Sequence, residues 1–187
     1  MSERGFVVAL LGAESTGKTT LAEEIGAALA ARGLRVAVVS EALREFCDAN
    51  GRTPRRDEQA AIAAAQSERI DAAAAGHEIV VADTSALMIA VYSDFVFADA
   101  SLYPSALAAQ RRCDLTLVTA LDLPWQPDGL QRDGAHVRVP VDASLRSALA
   151  GAGIAFTTIA GLGKDRVQAA LGAIDAALAA RSRAPKR

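Results

Sequence analysis

Residues 12–19 read Gly-Ala-Glu-Ser-Thr-Gly-Lys-Thr, a glycine-rich turn that fits G-x-x-x-x-G-K-[ST], set between an unbroken apolar run at 6–11 and a segment with helical spacing from Lys18. No other stretch restricts the fold as much. An apolar run that passes through such a turn into a helix is a buried parallel strand feeding a helix N-terminus, and a parallel sheet needs cover on both faces. The glycines admit backbone angles and close approaches that a Cβ forbids. The N–H groups of Gly12, Ala13, Glu14, Ser15, Thr16, Gly17, Lys18, Thr19 and Thr20 can therefore converge on phosphate oxygens at a positive helix end.

The alternation continues along the chain. Apolar runs at 36–39, 79–82, 115–119 and 156–159 predict four more strands, and alanine-rich stretches at about 18–31, 57–75, 105–111, 142–150 and 164–180 predict helices between them. With 187 residues, 51% of them hydrophobic and only 4% aromatic, one domain over 1–180 is expected. Its fold class is α/β: a three-layer arrangement of a five-stranded parallel sheet flanked by helices, with right-handed crossovers. Two segments break the pattern. Residues 41–56 mix charges with Pro54 and read as part short helix, part loop; residues 122–140 carry Pro124, Pro127, Gly129, Gly134 and Pro140 and read as a lid, since so long a loop in a compact domain usually serves binding. The basic stretch 181–187 is expected to be a disordered tail.

Composition excludes several roles. A net charge of −2 gives no general attraction to nucleic acid or an acidic membrane. The most apolar run, 86–92, is closed by Asp83 and Asp94 and is too short to span a bilayer, and no cleavable leader is expected. Cys47 and Cys113 lie far apart without metal-ligand spacing, which suits a reducing cytoplasm. His77 and His136 likewise have no partners at ligand spacing.

The polar residues at the strand ends carry the chemistry. In the cradle, Lys18 supplies a mobile charge for β and γ phosphates and the Thr19 hydroxyl can ligate Mg²⁺, so the expected ligand is ATP. Asp83 ends the third strand, where a carboxylate can hold a Mg²⁺ water, although Asp83-Thr84-Ser85 also has helix-capping chemistry. Glu41 lies just past the second strand with Arg44 at i+3, so the two face one site or else form a surface ion pair. In the first case Glu41 accepts a proton from an attacking hydroxyl and Arg44 holds the substrate. Glu45 and Asp48 read as a solvated face. In the lid, Arg132 or Arg138 could swing over the triphosphate, and Trp125 either stacks on a planar ligand or anchors the loop. The turn Gly161-Leu162-Gly163-Lys164 either borders an adenine ring or simply enters the last helix.

Taken together these residues resemble the P-loop kinases related to the nicotinamide riboside kinase domain of the NAD-biosynthesis regulators, which are also grouped with AAA-type ATPase domains. The resemblance spans about residues 5–180. It rests on Gly12-Ala13-Glu14-Ser15-Thr16-Gly17-Lys18-Thr19, on Glu41-Ala42-Leu43-Arg44-Glu45-Phe46, on Ala82-Asp83-Thr84, and on Pro124-Trp125-Gln126-Pro127-Asp128-Gly129-Leu130. It implies a P-loop fold with a lid at Asp128-Gly129, and transfer of the ATP γ-phosphoryl group to the 5′-hydroxyl of nicotinamide riboside. The family tends to carry an Arg directly after this region. Here Gln131 comes first, which leaves the lid arginine open between Arg132 and Arg138.

The expected function is thus an ATP- and Mg²⁺-dependent small-molecule kinase with a nucleoside acceptor, using Lys18, Thr19, Asp83 and a lid arginine to neutralise charge. Glu41 or Asp83 serves as base, and Glu41, Arg44, Asp83 and Trp125 bind the acceptor. An ATP-hydrolysing switch acting on a protein partner is the alternative class, though LSGGQ-like and [NT]-K-x-D segments are missing from the sequence. A kinase of another nucleoside or a vitamin alcohol is a third, since specificity would lie in 44–56 and 93–103. The alanine-rich helices leave a homodimer open.

Overall fold

The computed structural model describes residues 4–126 and 134–183. Five strands, β1 Phe6–Leu11, β2 Val36–Val39, β3 Ile79–Asp83, β4 Leu115–Thr119 and β5 Thr157–Ile159, form one parallel sheet in the order β2-β3-β1-β4-β5. Helices α1 Lys18–Ala30, α2 Ala42–Asn50, α3 Gln59–Gly76, α4 Ala86–Phe97, α5 Tyr103–Gln110, α6 Arg138–Gly151 and α7 Gly163–Arg183 cover it. The three-layer α/β fold expected from the sequence is the fold observed.

The alternation of β1 divides the core. Phe6, Val8 and Leu10 pack with Leu21, Ile25 and Leu29 of α1 and with Leu171 and Ile174 of α7. Ala9 and Leu11 face the opposite layer, built from α2 to α6. Every β1 residue is buried, which is why it reads as an unbroken apolar run rather than an alternating one. β1 lies between β3 and β4, so the strand order reverses beside the loop that follows it. Crevices of this kind, beyond the carboxyl ends of the strands, are where open α/β sheets bind ligands.

Helix α4 was not expected, and its composition explains why. Ala86, Leu87, Met88, Ile89, Ala90 and Val91 are all buried, with α3, α5 and α6 around them. The run of six buried apolar residues leaves no polar stripe, and the surface positions Phe95 and Val96 are apolar too, so the segment shows no 3.6-residue period. Leu87→Ala, at a fully buried site, is expected to cost about 2–5 kcal/mol in chemical denaturation.

The expected lid is shorter than 122–140. Residues Ala135–Val137 form a 3-10 turn and α6 begins at Arg138. Pro140 falls in the first turn of α6, where a missing N–H costs nothing. At the other end, α7 continues to Arg183 and takes in three residues expected in the tail. Arg132, with the Asp128-Gly129 pair, and residues 184–187 lie outside the described residues.

Candidate functional site

The loop after β1 is shaped by contacts that only glycine permits. Gly12 has φ +150°, and a Cβ there would overlap Thr119 Oγ1. Gly17 has φ +71°, and a Cβ would stand 2.9 Å from Leu123 Cδ1. Beneath the loop, Thr119 donates its hydroxyl to Thr16 Oγ1 (2.7 Å), and Thr16 donates to the Ala13 carbonyl (2.8 Å). These buried hydroxyls pin the loop from below. Lys18 Nζ donates to the Ala13 carbonyl (2.9 Å), which lays the ammonium across the loop mouth.

The register of the sheet brings Asp83 to the cradle. Leu10 pairs with Asp83, and Thr84 N–H donates to the Leu10 carbonyl. Thr19 Oγ1 donates to Asp83 Oδ2 at 2.6 Å, while Asp83 Oδ1 is buried without a hydrogen-bond partner. The capping alternative is answered by Ser85, whose Oγ accepts from Leu87 N–H at the start of α4 and donates to Gln110. Thr84 between them has φ +81°, a strained conformation for a β-branched residue, and its buried hydroxyl has no partner.

Two cavities meet at this edge. One, of about 650 Å³, runs over the cradle and is lined by Ser15 to Thr20, Arg44, Leu123, Pro124 and Gln126. The other, of about 120 Å³, extends from Gly12, Glu14 and Lys18 past Glu41 and Arg44 to an apolar wall that includes Met88, Tyr92 and Phe97. Its lining mixes apolar walls with a few polar groups, as small-molecule sites do. Lys18 and Arg44 line both. Glu41 precedes α2, with its Oε2 3.8 Å from Arg44 Nε. Lys18, Thr19, Glu41, Arg44 and Asp83 therefore share one edge of the sheet, as their positions at strand ends imply.

Other expected residues stand elsewhere. Arg138 is 8% exposed on α6, where it gives Nη1 to the Leu123 carbonyl (3.0 Å). There Arg138 is a buried helical arginine fastened to the chain at Leu123, and it does not line the cradle cavity. Among the described residues of the lid, Leu123, Pro124 and Gln126 line the cradle cavity and Trp125 does not; its indole N–H is enclosed without a partner. His77 Nδ1 is engaged by the Ala73 carbonyl. Burial pushes the Cys113 thiol up to about 12, away from the thiolate form that reacts.

The model of the AAA domain family matches residues 7–166, a span that holds the cradle, Glu41 and Asp83. The chain belongs to the AAA domain family. Solved structures of the NadR protein have the same fold as this AAA domain. A complex with NAD and AMP-PNP superposes with a TM-score of 0.73 at 22% identity, covering 98% of this chain and 51% of that one. A complex with NR gives 0.72 at 22% identity, covering 92% and 50%. The AAA domain thus spans about half the length of the NadR chains it matches. No curated protein sequence matches it.

The second cavity of the AAA domain has a wall contributed by α4 and by the α2–α3 connection, and it takes in parts of 44–56 and 93–103, the segments to which the sequence reading assigned specificity. Thr53 and Pro54 line it from that connection and Gln59 from the start of α3, and two ion-pair groups hold the connection in shape. Arg52 gives two bonds of 2.7 Å to Glu58, and Arg55 N–H donates a third. Arg56 Nε reaches Asp99 Oδ2 at 2.8 Å, tying the connection to the end of α4 and holding that carboxyl well below the usual carboxylate range. The Arg52 bonds, then the Arg55 N–H, pull the Glu58 carboxyl down from 4.5 to about 2. A depressed carboxylate contributes above its unfolded value and loses that contribution as pH falls through the folded one. Amide exchange in 51–58, measured against the core and corrected for intrinsic rates, is expected to speed up as pH falls from 4.5 toward 2. Glu58→Gln should remove the larger part of that pH dependence above pH 2, leaving what comes from the Arg56–Asp99 pair.

Proposed function

We propose that this AAA domain is an ATP-dependent small-molecule kinase that phosphorylates the 5′-hydroxyl of a ribonucleoside such as nicotinamide riboside. The observation that carries this reading is the meeting of a phosphate cradle and a partly apolar cavity at Lys18 and Arg44, with the Glu41 carboxylate on the cavity wall. A donor phosphate and an acceptor hydroxyl would be brought together at that junction. Transfer then needs mostly positioning and charge neutralisation. Glu41 would take the proton as the acceptor oxygen bonds to the γ-phosphorus, and the bond from that phosphorus to the β-phosphate oxygen would break to leave ADP. Lys18 and Arg44 would hold the migrating phosphoryl oxygens.

The residues fit Mg²⁺. Thr19 and Asp83 would hold it, for they form a hydroxyl–carboxylate pair with one buried carboxylate oxygen still unpartnered, and Mg²⁺ favours one or two such ligands alongside phosphate oxygens and water. Bound there, Mg²⁺ supplies charge neutralisation at the phosphates. Arg132 is the lid arginine in this proposal. The NadR complexes with AMP-PNP and with NR support the choice of ligands. Among the described residues neither Cys47 nor Cys113 forms a disulfide, and no helix is long and apolar enough to cross a membrane.

An assay of ADP formation with Mg²⁺ and a panel of nucleosides tests the proposal. Turnover should rise severalfold or more with a nucleoside, and the product should carry the phosphate on its 5′-oxygen. Turnover that no nucleoside or vitamin alcohol changes, but that a protein from the same cell accelerates, would establish the switch instead.

A further inference from the structure

Arg166 has no part in the sequence reading or in the chemistry above, yet it is among the most buried charged residues of the molecule, with a side chain 5% exposed. It lies in the first turn of α7 and reaches three loops. Nη2 donates to the Thr16 carbonyl at 2.9 Å, and Nη1 donates to Asp122 Oδ1 at 3.1 Å and to the Gly161 carbonyl at 3.4 Å. Asp122 closes the circuit by accepting Gly161 N–H on Oδ2 at 2.6 Å. The cradle, the root of the lid and the turn into α7 are thus fastened to one guanidinium.

The bond to Thr16 has a direct consequence for the cradle. Carbonyl and N–H lie on opposite sides of a planar trans peptide, so anchoring the Thr16 oxygen fixes the direction of the Gly17 N–H. Gly17 precedes α1, has φ +71° and carries no Cβ, so nothing in its own side chain restrains that plane. We infer that Arg166 is a positioning residue for the phosphoryl donor: it holds the Thr16–Gly17 peptide so that the Gly17 N–H points at the donor's phosphates, and it links the cradle to Asp122 and to the Gly161 turn. It acts through the peptide and touches no substrate. A guanidinium suits the task because its fork can serve two acceptors in fixed directions, whereas an ammonium is a point charge.

This inference rests on the cradle binding a nucleotide, so wild-type affinity is the first control. Calorimetry with ATP, with inorganic tripolyphosphate and with adenosine would be run on wild type, Arg166→Lys, Arg166→Met and Asp122→Asn, each checked by thermal melting. Arg166→Met is expected to weaken ATP and tripolyphosphate by about tenfold or more, the loss of one charge-assisted hydrogen bond. Adenosine should change much less. Lysine should recover only part of the loss, and Asp122→Asn should give a smaller loss that does not add to that of Arg166→Met. In turnover, KM for ATP should rise while KM for the acceptor stays put. If wild type binds neither ATP nor tripolyphosphate, the nucleotide reading fails. If wild type binds and the folded Arg166 variants bind equally well, or lysine restores affinity fully, the positioning role is overturned. Should Arg166→Met not fold, Arg166→Lys and Asp122→Asn decide alone: unchanged phosphate affinity in both rejects the inference.

Discussion

Lys18→Ala is expected to lower ATP affinity by about 10- to 100-fold, the loss of a charge-assisted contact of some 1.5–3 kcal/mol, and to lower turnover by a further factor of about 100 to 1,000. Affinity and rate should both suffer because the same ammonium attracts the ground-state polyphosphate and follows the charge that moves in the transition state. Its place on both cavities makes the second part large. The fold should tolerate the change, since Lys18 is only partly buried and its ammonium donates to a loop carbonyl rather than into the core. Calorimetry for binding and a single-turnover measurement for the chemical step would separate the two effects. A variant with weakened binding but unaltered chemistry would confine Lys18 to docking.

Glu41→Gln should behave differently. The amide keeps the shape of the side chain, so ATP binding should be nearly unchanged, while turnover falls by about 100- to 10,000-fold through loss of the proton acceptor. Asp83→Asn provides the contrast, because a group that holds Mg²⁺ should lose affinity for the Mg²⁺–ATP pair and regain some turnover at high magnesium. Full activity in the Glu41 variant would transfer the base role to Asp83. The pair of variants thus resolves the choice left open by the sequence.

What could be read in the sequence was whatever rests on local pattern. All five strands were legible because each is an apolar run closed by glycine or charge, and Lys18, Thr19, Glu41, Arg44 and Asp83 could be grouped because each sits at a strand's carboxyl end. Helix α4 escaped because six consecutive buried apolar residues at its start erase the period that betrays a helix. The start of α6 escaped because Gly134 and Pro140 are loop signals by composition, whereas a proline in a first helical turn is harmless. The burial of Arg138 and its bond to the Leu123 carbonyl were likewise invisible to a reading that placed it in the loop. Arg166 escaped for a related reason: its partners Thr16 and Asp122 are 150 and 44 residues away, and no spacing rule spans such distances.

The apolar helix after Asp83 also bears on how this chain comes into being. During synthesis its buried apolar residues, Ala86 to Val91, emerge before α5 and α6, two of the helices that pack on them. Until those helices arrive the surface is uncovered, the condition in which partly made chains stick to one another. In the finished molecule the same helix lends Met88, Tyr92, Val96 and Phe97 to the wall of the second cavity.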